Sequence, residues 1–178
     1  MDNLSRLRRE TAFIFNLPNE KDRRYRRVAV GGTLDIIHLG HESLLKTAFK
    51  VGEKVIIGLS TDRLAEELKK HHIVSPFHER KAGILRFLKE NALLERAEIV
   101  SIDDRYGTTI EDRGLEALVV SRETSKVADQ INYLRIRKGL KPLDIIVVET
   151  VKAKNGKPIS TSRIKKGEIN RYGELLSR

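Results

Sequence analysis

The segment VAVGGTLDIIHLGH, residues 28–41, decides the fold. It opens with a short apolar run, β-branched at both ends and without polar alternation, which predicts a strand buried on both faces. Gly31 and Gly32 follow, and with no Cβ they let the backbone turn sharply and approach a ligand closely. A helix is then expected from Gly40 or His41 to about Val51, with Leu44, Leu45 and Ala48 on one face. Strand, glycine loop and helix in that order form the opening unit of a parallel α/β sheet.

The remaining chain repeats the alternation. Apolar runs at residues 54–59 (KVIIGL), 97–102, 115–120 and 143–148 (LDIIVV) read as four further strands. Between them, Ser60, Thr61 and Asp62 open a helix through Lys70, and Pro76 starts another at PFHER. Ser125 begins a helix that Gly139 stops, and a last helix starts near Ser160. Five apolar strands with intervening helices predict an α/β, Rossmann-like doubly wound sandwich with a five-stranded parallel sheet. Ligands of such folds bind beyond the carboxyl ends of the strands.

The chain of 178 residues fits one domain, expected at 26–178, preceded by a basic appendage at 1–25 that includes most of the run KDRRYRR. Formal net charge is +10, so an anionic partner is expected, and charge by itself admits both nucleic acid and small phosphorylated substrates. Aromatic residues are only 5% and no RNA-stacking motif occurs, which disfavours nucleic acid. There is no cysteine, hence no disulfide framework, thiolate metal site or cysteine nucleophile. No apolar run approaches membrane-spanning length, and a cytoplasmic protein without membrane association is expected.

Two clusters carry chemistry. In the first, Thr33 offers a hydroxyl and an amide at a strand end. His38 and His41, three residues apart at a helix start, can face one ligand. Gly40 between them removes a side chain where a base or phosphate would lie, and the free amides of the helix start favour phosphate. A metal site would need a third ligand that the sequence does not supply. In the second cluster, Ser160, Thr161 and Ser162 precede Arg163, Lys165 and Lys166, an arrangement that reads as an anion-binding nest or as a plain serine cap on a basic helix.

GGTLDIIHLGH resembles the first signature of the HxGH nucleotidyltransferase superfamily, and ISTSR, residues 159–163, is similar to its second. Between Val28 and Ile169 the chain looks most like the archaeal and eukaryotic type of phosphopantetheine adenylyltransferase. GLSTD, PFHER, IDDRYGTTIED, LVVSRET and INYLRIRKGLKPLDIIVV carry that likeness. The departures are Leu34 for the usual phenylalanine, Arg105 and Thr108 for two prolines, the permuted ISTSR, and Arg122 where an acidic residue or proline is common.

The resemblance implies adenylyl transfer from ATP to 4′-phosphopantetheine, with His38, His41 and Thr33 catalytic and Mg²⁺ carried in by ATP. It implies ATP contacts from Gly31, Gly32, Thr33, His38, Gly40, His41, Ser121, Arg122, Glu123, Thr124, Ser160, Thr161, Ser162 and Arg163. The second signature would grip the phosphates from the side opposite the histidines. Thr33, Lys69, Lys70, Asn132 and Arg135 would face the acceptor. Sister activities on FMN, NMN or glycerol 3-phosphate remain alternatives, as does, more distantly, a nucleic-acid-binding role on the same scaffold. Oligomeric state is left open.

Overall fold

The computed structural model describes residues 24–68 and 73–177. The expected appendage therefore lies outside the described residues except for Arg24 and Tyr25. Tyr25 already belongs to the first strand, so the end of the basic run is sheet rather than appendage.

Five strands form one parallel sheet: β1 (Tyr25–Gly32), β2 (Gly52–Ser60), β3 (Ala97–Ile102), β4 (Ala117–Ser121) and β5 (Asp144–Val148). Their spatial order is β3-β2-β1-β4-β5. β1 is central, with Val28 registered against Val55 on one side and Ala117 on the other. The chain winds outward from β1 through β2 to β3, then crosses back to lay β4 on the other side of β1. That reversal creates a crevice between the ends of β1 and β4.

Alternate residues of each strand enter separate cores. Val28, Val30, Val55, Ile57, Ala117 and Val119 pack with α1 (Leu39–Val51) and α3 (Phe77–Glu90). Ala29, Ile56, Leu118 and Val120 face Ala128 and Ile131 of α4 (Ser125–Arg137) on the other side. This explains the apolar runs of β1, β2 and β4, whose middle residues are buried on both faces of the sheet. Among the described residues no helix is long and apolar enough to cross a membrane.

Helix ends follow their caps. Pro76 is the residue before α3 rather than its first, and Gly139, at φ 71°, closes the chain beyond α4. α2 (Asp62–Glu67) is shorter than its sequence pattern, and α5 (Thr161–Lys165) has only five residues. A third, small cluster of Ala153, Ile159 and Ile169 packs with Leu39, Val151 and Ile164, and this non-local contact had no signature in the sequence.

Leu45 is fully buried between α1 and the sheet. Leu45→Ala should cost about 2–5 kcal/mol of stability, read as a lower urea midpoint with unchanged slope.

Candidate active site

Glycine, threonine and histidine converge where β1 ends. His38 caps α1, its Nδ1 accepting from the amides of Gly40 at 3.1 Å and His41 at 3.4 Å. An acceptor nitrogen carries no proton, so the His38 proton sits on Nε2 and that atom is a donor. The ring is buried. Burial first, and the neighbouring His41 second, lower its pKa to about 3. At neutral pH it is an uncharged donor.

His41 has the opposite tautomer. Its Nδ1 lies 2.9 Å from the Ile36 carbonyl, which can only accept, so Nδ1 carries the proton. The two rings stack with centroids 3.8 Å apart and 17° between planes. Two charged imidazoles at that separation would repel, so the pair disfavours holding two positive charges.

Gly40 makes room for the His38 ring. A Cβ there would lie 3.0 and 3.1 Å from His38 Cε1 and Nδ1. The glycine is what lets the ring fold back onto its own helix.

The second cluster meets the first at the same end of the sheet, not at opposite ends of the sandwich. Lys165 Nζ is 2.7 Å from Asp35 Oδ2, and the Asp35 side chain is only 2% exposed. Asp35 Oδ1 also accepts from the Ser75 amide at 3.1 Å. Burial alone would raise the Asp35 carboxyl, but bonds from Lys165 and Ser75 outweigh it and hold the group below the usual carboxylate range. Leu39, inside HxGH, packs with Ile159 and Ile164 and donates its amide to the Arg171 carbonyl at 3.1 Å. Arg171 reaches Glu42 of α1 at 3.2 Å.

Within that cluster Ser160 caps α5, accepting from the Arg163 amide at 3.4 Å, while Thr161 is buried and Ser162 half-buried. Five residues make little macrodipole, so any anion grip here rests on hydroxyls and amides. Arg163 is otherwise employed. Its guanidinium bonds Glu168 at 2.9 Å and the Pro158 carbonyl at 2.7 Å, bracing the preceding turn.

On the α4 side of the crevice a cavity of about 340 Å³ runs under the strand ends. Gly31, Gly32, Glu123 and Thr124 border it, together with apolar side chains such as Leu64 and Ile131. Ser121 and Thr124 bond each other through their hydroxyls at 3.0 Å. Arg122 is an exposed residue paired with Glu149 at 2.6 Å and does not line the cavity.

The structure commits the polar groups of Asn132 and Arg135 to backbone partners. Asn132 donates to the Leu143 carbonyl at 2.9 Å and accepts from its amide at 2.8 Å. Arg135, 1% exposed, binds the carbonyls of Thr109, Asp112 and Lys141. Both satisfy backbone groups that the fold would otherwise bury unpaired. Lys69 and Lys70 lie outside the described residues.

Sequence reasoning missed Arg80, which is wholly buried and bonds the Thr33 carbonyl at 3.0 Å. It also assigned no role to the cavity residues Arg105, Tyr106 and Thr108. PFHER and IDDRYGTTIED were visible as similar segments, yet nothing in their spacing says what they touch.

A parallel sheet whose central strand delivers a glycine loop and a histidine pair to the crevice defines the nucleotidyltransferase class. The cytidylyltransferase-like family model matches residues 29–167, and the chain belongs to that family. Among its relatives are proteins named phosphopantetheine adenylyltransferase. That of Methanopyrus kandleri is 46% identical over 83% of this chain and 92% of its own length. That of Methanothermobacter thermautotrophicus is 42% identical over 88% and 93%. A solved structure of a protein of unknown function from Archaeoglobus fulgidus is 34% identical, with a TM-score of 0.63 over 68% of this chain and 88% of its own.

Two outcomes follow. Gly40→Ala should displace the His38 ring by a few tenths of an ångström, leaving melting nearly unchanged and turnover lower by about 10-fold or more. For pH, the unfolded chain protonates His38 below about 6.5 and the folded protein only near 3. The stability His38 confers by staying neutral is complete above pH 6.5 and is lost as pH falls toward 3. His38→Asn keeps a capping side chain but cannot titrate, so urea denaturation between pH 6.5 and 4 should show a flatter pH dependence than wild type.

Proposed function

We propose that this nucleotidyltransferase moves the adenylyl group of ATP onto 4′-phosphopantetheine, giving dephospho-coenzyme A and pyrophosphate. The observation that carries the reading is the joining of the two phosphate-directed clusters at one end of the sheet, through Asp35 and Lys165. The name shared by the archaeal relatives at 39–46% identity supplies the acceptor.

In this reading an oxygen of the acceptor's terminal phosphate attacks the α-phosphorus of ATP in line, and the bond to the bridging α–β oxygen breaks. A phosphate monoester is already an adequate nucleophile near neutral pH, so no general base is required. The protein's task is to align two anions and to offset charge growing on the leaving pyrophosphate. His38 gives an uncharged Nε2–H donor whose protonation does not change near pH 7. His41 presents Nε2, which donates once the ring is protonated. Thr33 and the Ser160–Ser162 segment add hydroxyls and amides, while Arg163 steadies the turn before them.

Mg²⁺ enters as the ion bound to ATP and supplies charge neutralisation on the phosphates. Among the described residues no three carboxylates or imidazoles group together to cage a metal. The mainly apolar cavity suits the uncharged arm of the acceptor, and its volume is at the lower end of small-molecule sites. A cytoplasm with ATP at hand is the compartment this activity implies.

Pyrophosphate release should occur with ATP plus 4′-phosphopantetheine and remain at background with FMN, NMN or glycerol 3-phosphate, whether ATP or CTP is supplied. Release with a rival acceptor and none with 4′-phosphopantetheine would overturn the assignment. His41→Ala should lower turnover about 100-fold or more with melting unchanged. Thr108→Trp, at an exposed position bordering the cavity, should raise the acceptor KM about 10-fold while leaving the ATP KM alone.

A further inference from the structure

Arg80 stands in the first turn of α3 and is 0% exposed. Its four hydrogen bonds reach four different places. Nε donates to the Ser75 carbonyl at 2.8 Å, and Nη2 to Asp62 Oδ1 at 2.7 Å. Nη1 donates to two carbonyls, those of Thr33 at 3.0 Å and Ser60 at 2.8 Å. The last registered pair of β1 and β2 is Gly32 with Leu59. Thr33 follows β1 directly and Ser60 ends β2, so the guanidinium sits where the two strands part and takes over carbonyls that the β1–β2 ladder no longer satisfies.

The residue after Thr33 is strained. Leu34 has φ 47°, a left-handed conformation that costs a non-glycine residue on the order of 1 kcal/mol, and its side chain is 2% exposed. Such a conformation persists only where its surroundings over-determine it. Three contacts do so here: Arg80 on the Thr33 carbonyl, core packing on the Leu34 side chain, and Lys165 on Asp35.

Like Arg135, Arg80 satisfies buried carbonyls that the fold would otherwise leave unpaired, but one of them is the Thr33 carbonyl, in the loop that carries the candidate catalytic threonine. Lysine would keep the charge, yet it could not span these carbonyls, because only the planar fork presents donors in several fixed directions. Arg80's only carboxylate partner among the bonds described, Asp62, is itself 56% exposed. The buried end of the interaction is therefore directed at backbone.

We infer that Arg80 is a positioning residue for adenylyl transfer: it holds the Thr33–Leu34 peptide in the strained geometry that aims the Thr33 hydroxyl and amide at the reacting phosphates. The inference rests on the activity proposed above. Because it acts on alignment, its loss should appear in turnover at saturation more than in substrate affinity.

The test compares wild type, Arg80→Lys and Asp62→Asn by pyrophosphate release at saturating ATP and acceptor, well below each variant's melting temperature. The acceptor is 4′-phosphopantetheine or, if wild type is silent with it, whichever of FMN, NMN or glycerol 3-phosphate wild type uses. R80K should lose about 10-fold or more in kcat with the ATP KM within about threefold of wild type. D62N, which keeps all three carbonyl bonds, should stay within about threefold in kcat. Wild-type kcat in R80K would overturn the inference. So would a loss explained by its unfolded fraction, a change confined to the ATP KM, or an equal loss in D62N. Should R80K not fold, Arg80→Gln, which retains N–H donors without the charge, replaces it under the same criteria. An active wild type with a normal R80K removes only the role of Arg80. A wild type that releases pyrophosphate with no acceptor removes the proposed activity and this inference together.

Discussion

The ion pair between Asp35 and Lys165 joins segments far apart in the chain. One belongs to the loop leaving β1 and the other to the short helix near the C-terminus. Burying such a pair is poor evidence of added stability, because desolvation offsets much of the attraction, whereas removing one partner leaves an uncompensated charge. Its value is in specification. With Asp35 almost inaccessible, α5 is strongly favoured in the arrangement that brings Lys165 to it, and this sets Ser160, Thr161 and Ser162 beside the start of α1. Lys165 also donates to the Ile73 carbonyl, so the segment leading into α3 is tied to the same knot.

Around that knot the crevice has two unlike sides. On the α1 side are polar groups with restricted options: a histidine whose ring nitrogen caps its own helix, a second stacked upon it, and a threonine in a strained loop. On the α4 side is a mainly apolar hollow under the strand ends. The divide follows from the sheet itself. Alternate residues of β1 enter opposite cores, so its carboxyl end delivers one ligand environment to each face.

Preorganisation is the common theme of the polar side. His38 is kept neutral by burial, its tautomer is fixed by two amides, and Gly40 leaves the space its ring needs. Arg80 replaces missing ladder bonds where β1 and β2 separate. Each arrangement settles the position of a donor before any ligand arrives, so less reorganisation remains for the reaction itself.

Sequence alone determined the features that depend on near neighbours. Unbroken apolar runs specify strands covered on both faces, and the three-residue spacing of His38 and His41 brings their rings together at a helix start. Two local signatures and the segments between them were enough to indicate the family. Tertiary structure decided which partner each polar side chain chose. Asn132 and Arg135 look like cleft residues in a list of letters, yet each satisfies buried backbone groups. Arg163 braces a turn, and Arg80 links two strand-end loops. The second cluster lies beside the first because of an ion pair and a small apolar contact between distant segments. The division has one cause: backbone periodicity is written within a dozen residues, whereas a hydrogen-bonding group takes whatever unsatisfied partner the completed fold places within about 3 Å.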